Sequence, residues 1–236
     1  MNDFQINNVG NEMFGLIKKL FPICRSITGN GVRESLAIIK KIIPLEIFEI
    51  PTGTQVFDWK IPKEWNIKDA WIKDSSGNKI VNFKNSNLHI VSYSVPIHEK
   101  MNLDELKKYL HYIEEYPDWI PYKTSYYNET WGFCISHKQF ESLEEGEYEI
   151  FIDSKLENGN LTYGEFFVKG EKEDEILITC YICHPSMCND NLSGVSLVTF
   201  LAKSISNLKP TYSYRFLFIP ETIGAITWLS KNEKIL

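Results

Sequence analysis

The segment Cys183 to Gly194, CHPSMCNDNLSG, concentrates side chains that suit a metal site. It follows an apolar run, EILITCYI (Glu175 to Ile182). A second apolar run, YRFLFIP (Tyr214 to Pro220), leads directly into Glu221. Ligands of open α/β sheets bind beyond the carboxyl ends of the strands. A His, an Asp and a Glu (His184, Asp190, Glu221) at adjacent strand ends can therefore converge on one cleft. Neutral imidazole and carboxylate oxygen are good Zn²⁺ ligands. A carboxylate held off the metal can serve as general base toward water.

Each residue also has a plainer reading. His184 can be a satisfied structural histidine. Asp190 can cap the helix that begins near Leu192, and Glu221 can complement the N-terminus of the next helix. Cys180 and Cys183 lie three apart on a strand, so they point to opposite faces and read as buried thiols. Cys188 has no base placed for it. CRSITGNG (Cys24 to Gly31) lacks the Gly-Lys-Ser/Thr ending of a phosphate loop. Arg25 and Arg33 are candidates for a substrate carboxylate, with packing and surface roles as alternatives.

The elements that must position these residues are readable from periodicity. Met13, Leu16, Ile17 and Leu20 are spaced as on a helix, as are Val32, Leu36, Ile39 and Ile43. From Leu45 to Pro96 short β-prone runs appear: IFEI, AWIKD, KIVNF and LHIVSY. A helix is expected over 102–115, capped by Asn102 with Asp104 and Glu105 in its first turn. An aromatic loop follows (Tyr116 to Phe133), whose Tyr126, Tyr127 and Trp131 can line a pocket or form a satellite core. Glu147 to Gly170 reads as a hairpin turning at Glu157-Asn158-Gly159-Asn160. The pattern then becomes βαβα, with strands 175–182 and 214–220 buried on both faces and helices 192–206 and 221–231.

HPSMCNDNLSG followed by FIPETIGAI is similar to the metal-site segments of the zinc aminopeptidase clan. Together with CRSITGNGVRESL, SYYNETWGFC and FIPETIGAITWLSKN, it resembles the bacterial polysaccharide-biosynthesis proteins that carry an aminopeptidase-like domain. The resemblance covers nearly the whole chain. It implies an α/β fold, a three-layer α/β/α mixed sheet with a small inserted antiparallel β domain. The aminopeptidase-like domain is expected at 1–50 with 104–236, and the insert at 51–103. The resemblance further implies His184 and Asp190 as zinc ligands and Glu221 as the catalytic base of an amide hydrolase. In that clan an Asp two residues after the His orients the imidazole, and a second Glu after the base binds a second metal. This chain has Ser186 and Thr222 there, so one zinc is expected rather than two. Further ligands, including another His, are expected beyond Leu236. The resemblance thus describes a truncated or split member, active only if those ligands are restored.

Composition narrows the partners. The 236 residues are 43% hydrophobic and 14% aromatic, enough for a core, and carry a net charge of -6. No basic stripe supports nucleic-acid binding, and no apolar run reaches the length of a membrane helix. The N-terminus does not read as a signal peptide. Five cysteines suit reduced thiols in the cytoplasm better than a disulfide framework. Expected partners are a small peptide or amide substrate and either a second copy of the chain or a partner chain supplying the missing C-terminal part. The rival readings are a non-catalytic binding module that kept the fold, and an amidohydrolase acting on acylated amino sugars.

Overall fold

The computed structural model describes residues 3–235, and side chains of residues 8–234. Met1, Asn2 and Leu236 lie outside the described residues. Contacts group the chain into two units, Met1–Glu64 with Asn158–Leu236, and Trp65–Glu157.

The first unit is a mixed α/β layer structure. Its elements are α1 (Asp3–Leu20), α2 (Asn30–Ile39), β1 (Glu46–Pro51), β2 (Asn160–Val168), β3 (Glu175–Tyr181), α3 (Ser193–Ser206), β4 (Ser213–Ile219) and α4 (Ile223–Asn232). The sheet runs in the order β1-β2-β4-β3. β1 and β4 pair antiparallel with β2, and β3 pairs parallel with β4, Tyr181 opposite Ile219. Helix α2 forms because Val32, Leu36 and Ile39 recur on one face. All three are 0% exposed, each contributing roughly 1.5–3 kcal/mol of burial. They join Leu16 and Leu20 of α1, Val195, Val198 and Phe200 of α3, and Phe216 and Phe218 of β4 in one core.

The second unit holds a four-stranded sheet from Glu64–Lys73, Lys79–Asn82, Ile97–Asn102 and Glu147–Glu157, whose two outer pairs are antiparallel. Trp71 stacks on Phe151 in it, and Ile72, Val81, Ile150 and Ile152 are buried. The expected insert, 51–103, shares residues 65–103 with this unit.

Four expectations are corrected here. Glu147–Glu157 and Asn160–Val168 are both strands but not a hairpin. The first pairs with Ile97–Asn102 and the second with β1 and β4. The Gly159 N–H donates to Thr52 Oγ1 (3.0 Å) and the Asn160 N–H to Glu64 Oε2 (2.9 Å), which starts β2 against β1 instead. The helix over 102–115 stops at Leu106. Asn102 does cap it, accepting from the Glu105 N–H at 2.9 Å. Beyond a 3₁₀ turn, Leu110–His111 is then drawn into parallel pairing with Phe133–Cys134. LHIVSY forms a short 3₁₀ turn and isolated bridges rather than a strand. Finally, β3 is not buried on both faces. It is the last strand in the sheet order, and Ile176 and Leu177 are 38% and 44% exposed.

The aromatic loop packs on its own surroundings: Trp131 stacks on Tyr109 and Tyr126 meets Tyr93 edge-on, while Tyr127 is exposed.

Candidate metal centre

Parallel pairing of β3 and β4 brings two strand ends side by side. The Ile182 N–H extends the ladder by donating to the Ile219 carbonyl at 3.0 Å. Cys183 and His184 then leave one strand where Pro220 and Glu221 leave the other. His184 is buried, at 6% exposure, and its Nε2 lies 3.1 Å from Glu221 Oε2. Asp190 Oδ1 approaches His184 Nδ1 at 3.8 Å. All three residues singled out in the sequence therefore meet, with the imidazole between two carboxylates that are both exposed.

Local structure explains how the carboxylates are presented. Asp190 and Asn191 have non-helical backbone angles between Met187 and α3. The Asn191 amide donates to the Tyr181 carbonyl at 3.2 Å, tying this stretch to the end of β3. Gly194 makes room for it, since a Cβ there would lie 2.2 Å from Asn191 Oδ1. Glu221 is followed by a tight turn in which the Ile223 N–H donates to the Glu221 carbonyl at 2.6 Å. Thr222 sits at its centre with φ 55° and ψ -66°, a γ-turn conformation that is strained for a β-branched residue. Neither α3 nor α4 has a side-chain cap hydrogen bond. The capping alternative for Asp190 therefore finds no hydrogen bond, while Glu221, two residues before α4, stays close enough to complement the N-terminus of that helix.

The two positions that depart from the clan pattern are engaged elsewhere. The Ser186 hydroxyl donates to the Phe21 carbonyl at 2.6 Å, toward the end of α1. Thr222 is absorbed by the turn.

Cys183 is the buried thiol the sequence suggested, and it also touches the site. Its sulfur accepts the Glu221 N–H at 3.1 Å and lies 3.7 Å from His184 Nδ1. Cys183, His184 and Glu221 each offer a ligand atom within 4.8 Å of the others. Burial pushes the Cys183 thiol up to about 12, so at neutral pH it is protonated and acts as a hydrogen-bond acceptor for Glu221. Its position directly before His184 at a strand end was the available signal.

The donor set fits zinc: His184 and Asp190 offer an imidazole and a carboxylate, both accepted zinc ligands, with the Glu221 carboxylate beside them.

A family model described as a domain of unknown function, DUF4910, matches residues 14–236. The chain belongs to this family. The DUF4910 chain is 62% identical, over 227 residues, to a Clostridium acetobutylicum protein provisionally named a polysaccharide biosynthesis protein with aminopeptidase-like domain. That match covers 96% of the chain and 52% of the relative, so the chain spans about half the length of the curated relative it matches. A crystal structure of a provisionally assigned peptidase from Clostridium acetobutylicum is 60% identical, with a TM-score of 0.96, covering 99% of this chain and 56% of that one. The zinc aminopeptidase of Bacillus subtilis is 12% identical with a TM-score of 0.57, covering 89% of this chain and 60% of that one. At that identity the likeness shows the fold alone. The DUF4910 chain thus has the mixed α/β fold of the aminopeptidases. No helix among its described residues is long and apolar enough to cross a membrane.

Proposed function

We propose that this chain carries the metal-binding face of a zinc-dependent, aminopeptidase-like hydrolase that cleaves an amide bond. The observation that carries the reading is the meeting of His184, Asp190 and Glu221 at the carboxyl ends of two adjacent parallel strands. His184 and Asp190 would hold one zinc. A bound zinc supplies Lewis-acid polarisation of the scissile carbonyl and makes water more acidic. Glu221 takes the proton from the attacking water at Oε2 and returns it to the leaving amine. Its main chain is held by Cys183 while its carboxylate stays open to solvent. Catalytic zinc sites use three protein ligands. A third would come from a partner chain, a second copy, or sequence outside residues 1–236.

The names of the relatives support a peptidase-like substrate, such as a small peptide, and a role near polysaccharide synthesis; the amide of an acylated amino sugar is the alternative substrate. A second reading, a binding module without turnover, draws on Ser186 and Thr222, whose places in the clan are taken by functional carboxylates.

Hydrolysis of amino-acid anilides and N-acetylated amino sugars by the wild type and by Glu221→Gln tests the first reading. The variant should lose turnover by about 10²- to 10⁴-fold while still taking up zinc. Unchanged hydrolysis in the variant removes Glu221 as the base.

A further inference from the structure

Arg25 heads the fully buried side chains, at 1% exposure. Its hydrogen-bond acceptors are neutral. Nε donates to the His184 carbonyl at 2.9 Å, and Nη2 to the Pro185 carbonyl at 3.2 Å. Nη1 donates to the Leu20 carbonyl at 2.6 Å and lies 3.4 Å from the Ser35 hydroxyl. Burial lowers the guanidinium to about 10, which leaves it charged at neutral pH. A desolvated cation is costly to keep inside a protein, and here it gathers main-chain carbonyls.

Two of those carbonyls belong to His184 and to the residue after it. The planar fork of Arg fixes several acceptors at once, which a point-charge ammonium cannot do. One residue further on, Ser186 binds the Phe21 carbonyl. The turn between α1 and α2 therefore clasps the end of β3 at 184, 185 and 186. The turn is tight enough that a Cβ on Gly31 would lie 1.9 Å from the Cys24 carbonyl oxygen. The Cys24 to Gly31 segment, which is no phosphate loop, thus has a use: it delivers Arg25 to the back of the site.

We infer that Arg25 is a positioning residue that fixes the main chain presenting the His184 imidazole. This inference rests on His184 holding the metal. It requires that loss of the fork loosen residues 184–187 and weaken metal binding, without Arg25 touching the metal or the substrate.

The test compares the wild type with Arg25→Met, Arg25→Lys and Leu36→Ala. The last cuts the same core without touching 184–185. Zinc affinity is read by chelator competition, and amide hydrogen exchange at 184, 186 and 187 is read on metal-free protein. Arg25→Met should weaken zinc binding by about tenfold or more, as loss of a group that orients a metal ligand does. It should also speed exchange at those amides. Arg25→Lys should fall between, and Leu36→Ala should keep zinc affinity within about twofold. A folded Arg25 variant with wild-type zinc affinity overturns the inference. If Arg25→Met does not fold, Arg25→Lys decides. If the wild type takes up no zinc, the metal reading fails by itself. Exchange then decides the role of Arg25: faster exchange at 184–187 than in Leu36→Ala supports it, and equal exchange overturns it.

Discussion

Glu221 Oε2 lies 3.1 Å from His184 Nε2, although the two residues are 37 positions apart and leave different strands. The contact exists because β3 and β4 pair in parallel register, Tyr181 opposite Ile219. The site is thus a product of sheet register, and of the turn behind it that holds Arg25.

Gly31→Ala should destabilise the chain by about 1–3 kcal/mol. The added Cβ would fall 1.9 Å from the Cys24 carbonyl oxygen, which is backbone and cannot swing aside. Thermal unfolding should show a midpoint several degrees lower; an unchanged midpoint would mean that the turn tolerates a side chain.

Thiol chemistry should separate Cys188 from the other cysteines. Burial pushes Cys24, Cys134 and Cys183 up to about 12, and Cys180 is raised by the same cause. At about pH 8 only roughly one in 10⁴ of a thiol titrating near 12 is thiolate. Cys188 is exposed. Iodoacetamide on the native chain should therefore modify Cys188 first, as read by peptide mass spectrometry. Cys183 labelled as fast as Cys188 would contradict its buried, protonated place behind Glu221.

Acid should weaken the fold through His89. The ring is buried, and its Nδ1–H donates to the Cys134 carbonyl at 2.8 Å. Desolvation lowers its pKa, against a smaller raising effect of that hydrogen bond. The unfolded chain then takes up a proton near pH 6.5 that the folded chain still refuses. The contribution is intact above about pH 6.5 and is lost as pH falls below it toward the lowered folded value. His111 is shifted in the same direction, by burial first. Replacing His89 by Gln should narrow the difference in unfolding midpoint between about pH 7.5 and about pH 5. An undiminished difference would place the acid sensitivity elsewhere.

The exposed side of the first unit should drive self-association. β3 ends the sheet order, and Ile176, Leu177 and Tyr181 on it are 38%, 44% and 37% exposed. Leu197 and Leu201 of α3 add further apolar surface, 57% and 37% exposed. An uncovered edge strand and adjoining apolar area invite pairing with another chain. Light scattering should give a mass that rises with concentration, and Leu177→Lys should lower it. A strictly monomeric wild type at all concentrations would refute this.

Much of the first unit was legible because its signals are local. Val32, Leu36 and Ile39 announce a helix by spacing, and the apolar runs before Cys183 and Glu221 announce strands that end side by side. His184, Asp190 and Glu221 were readable for that reason. What was not legible depends on distant pairing. The residues flanking Gly159 have the composition of a hairpin turn, yet their two strands join different sheets. Leu110 leaves its helix for a partner at Phe133. Arg25 finds acceptors 159 and 160 positions away, and nothing near it in sequence points to them. Cys183 looked like an ordinary buried thiol until its sulfur was seen to hold the Glu221 amide.

Zinc binding by the wild type and by His184→Ala, measured by chelator competition on the 236-residue chain, decides whether His184 holds a metal. With two protein ligands the wild type should bind one zinc per chain only weakly, and affinity should be at least about tenfold lower again in His184→Ala while the fold is kept. Measurable zinc binding with equal affinity in the two proteins would contradict a metal centre built on His184.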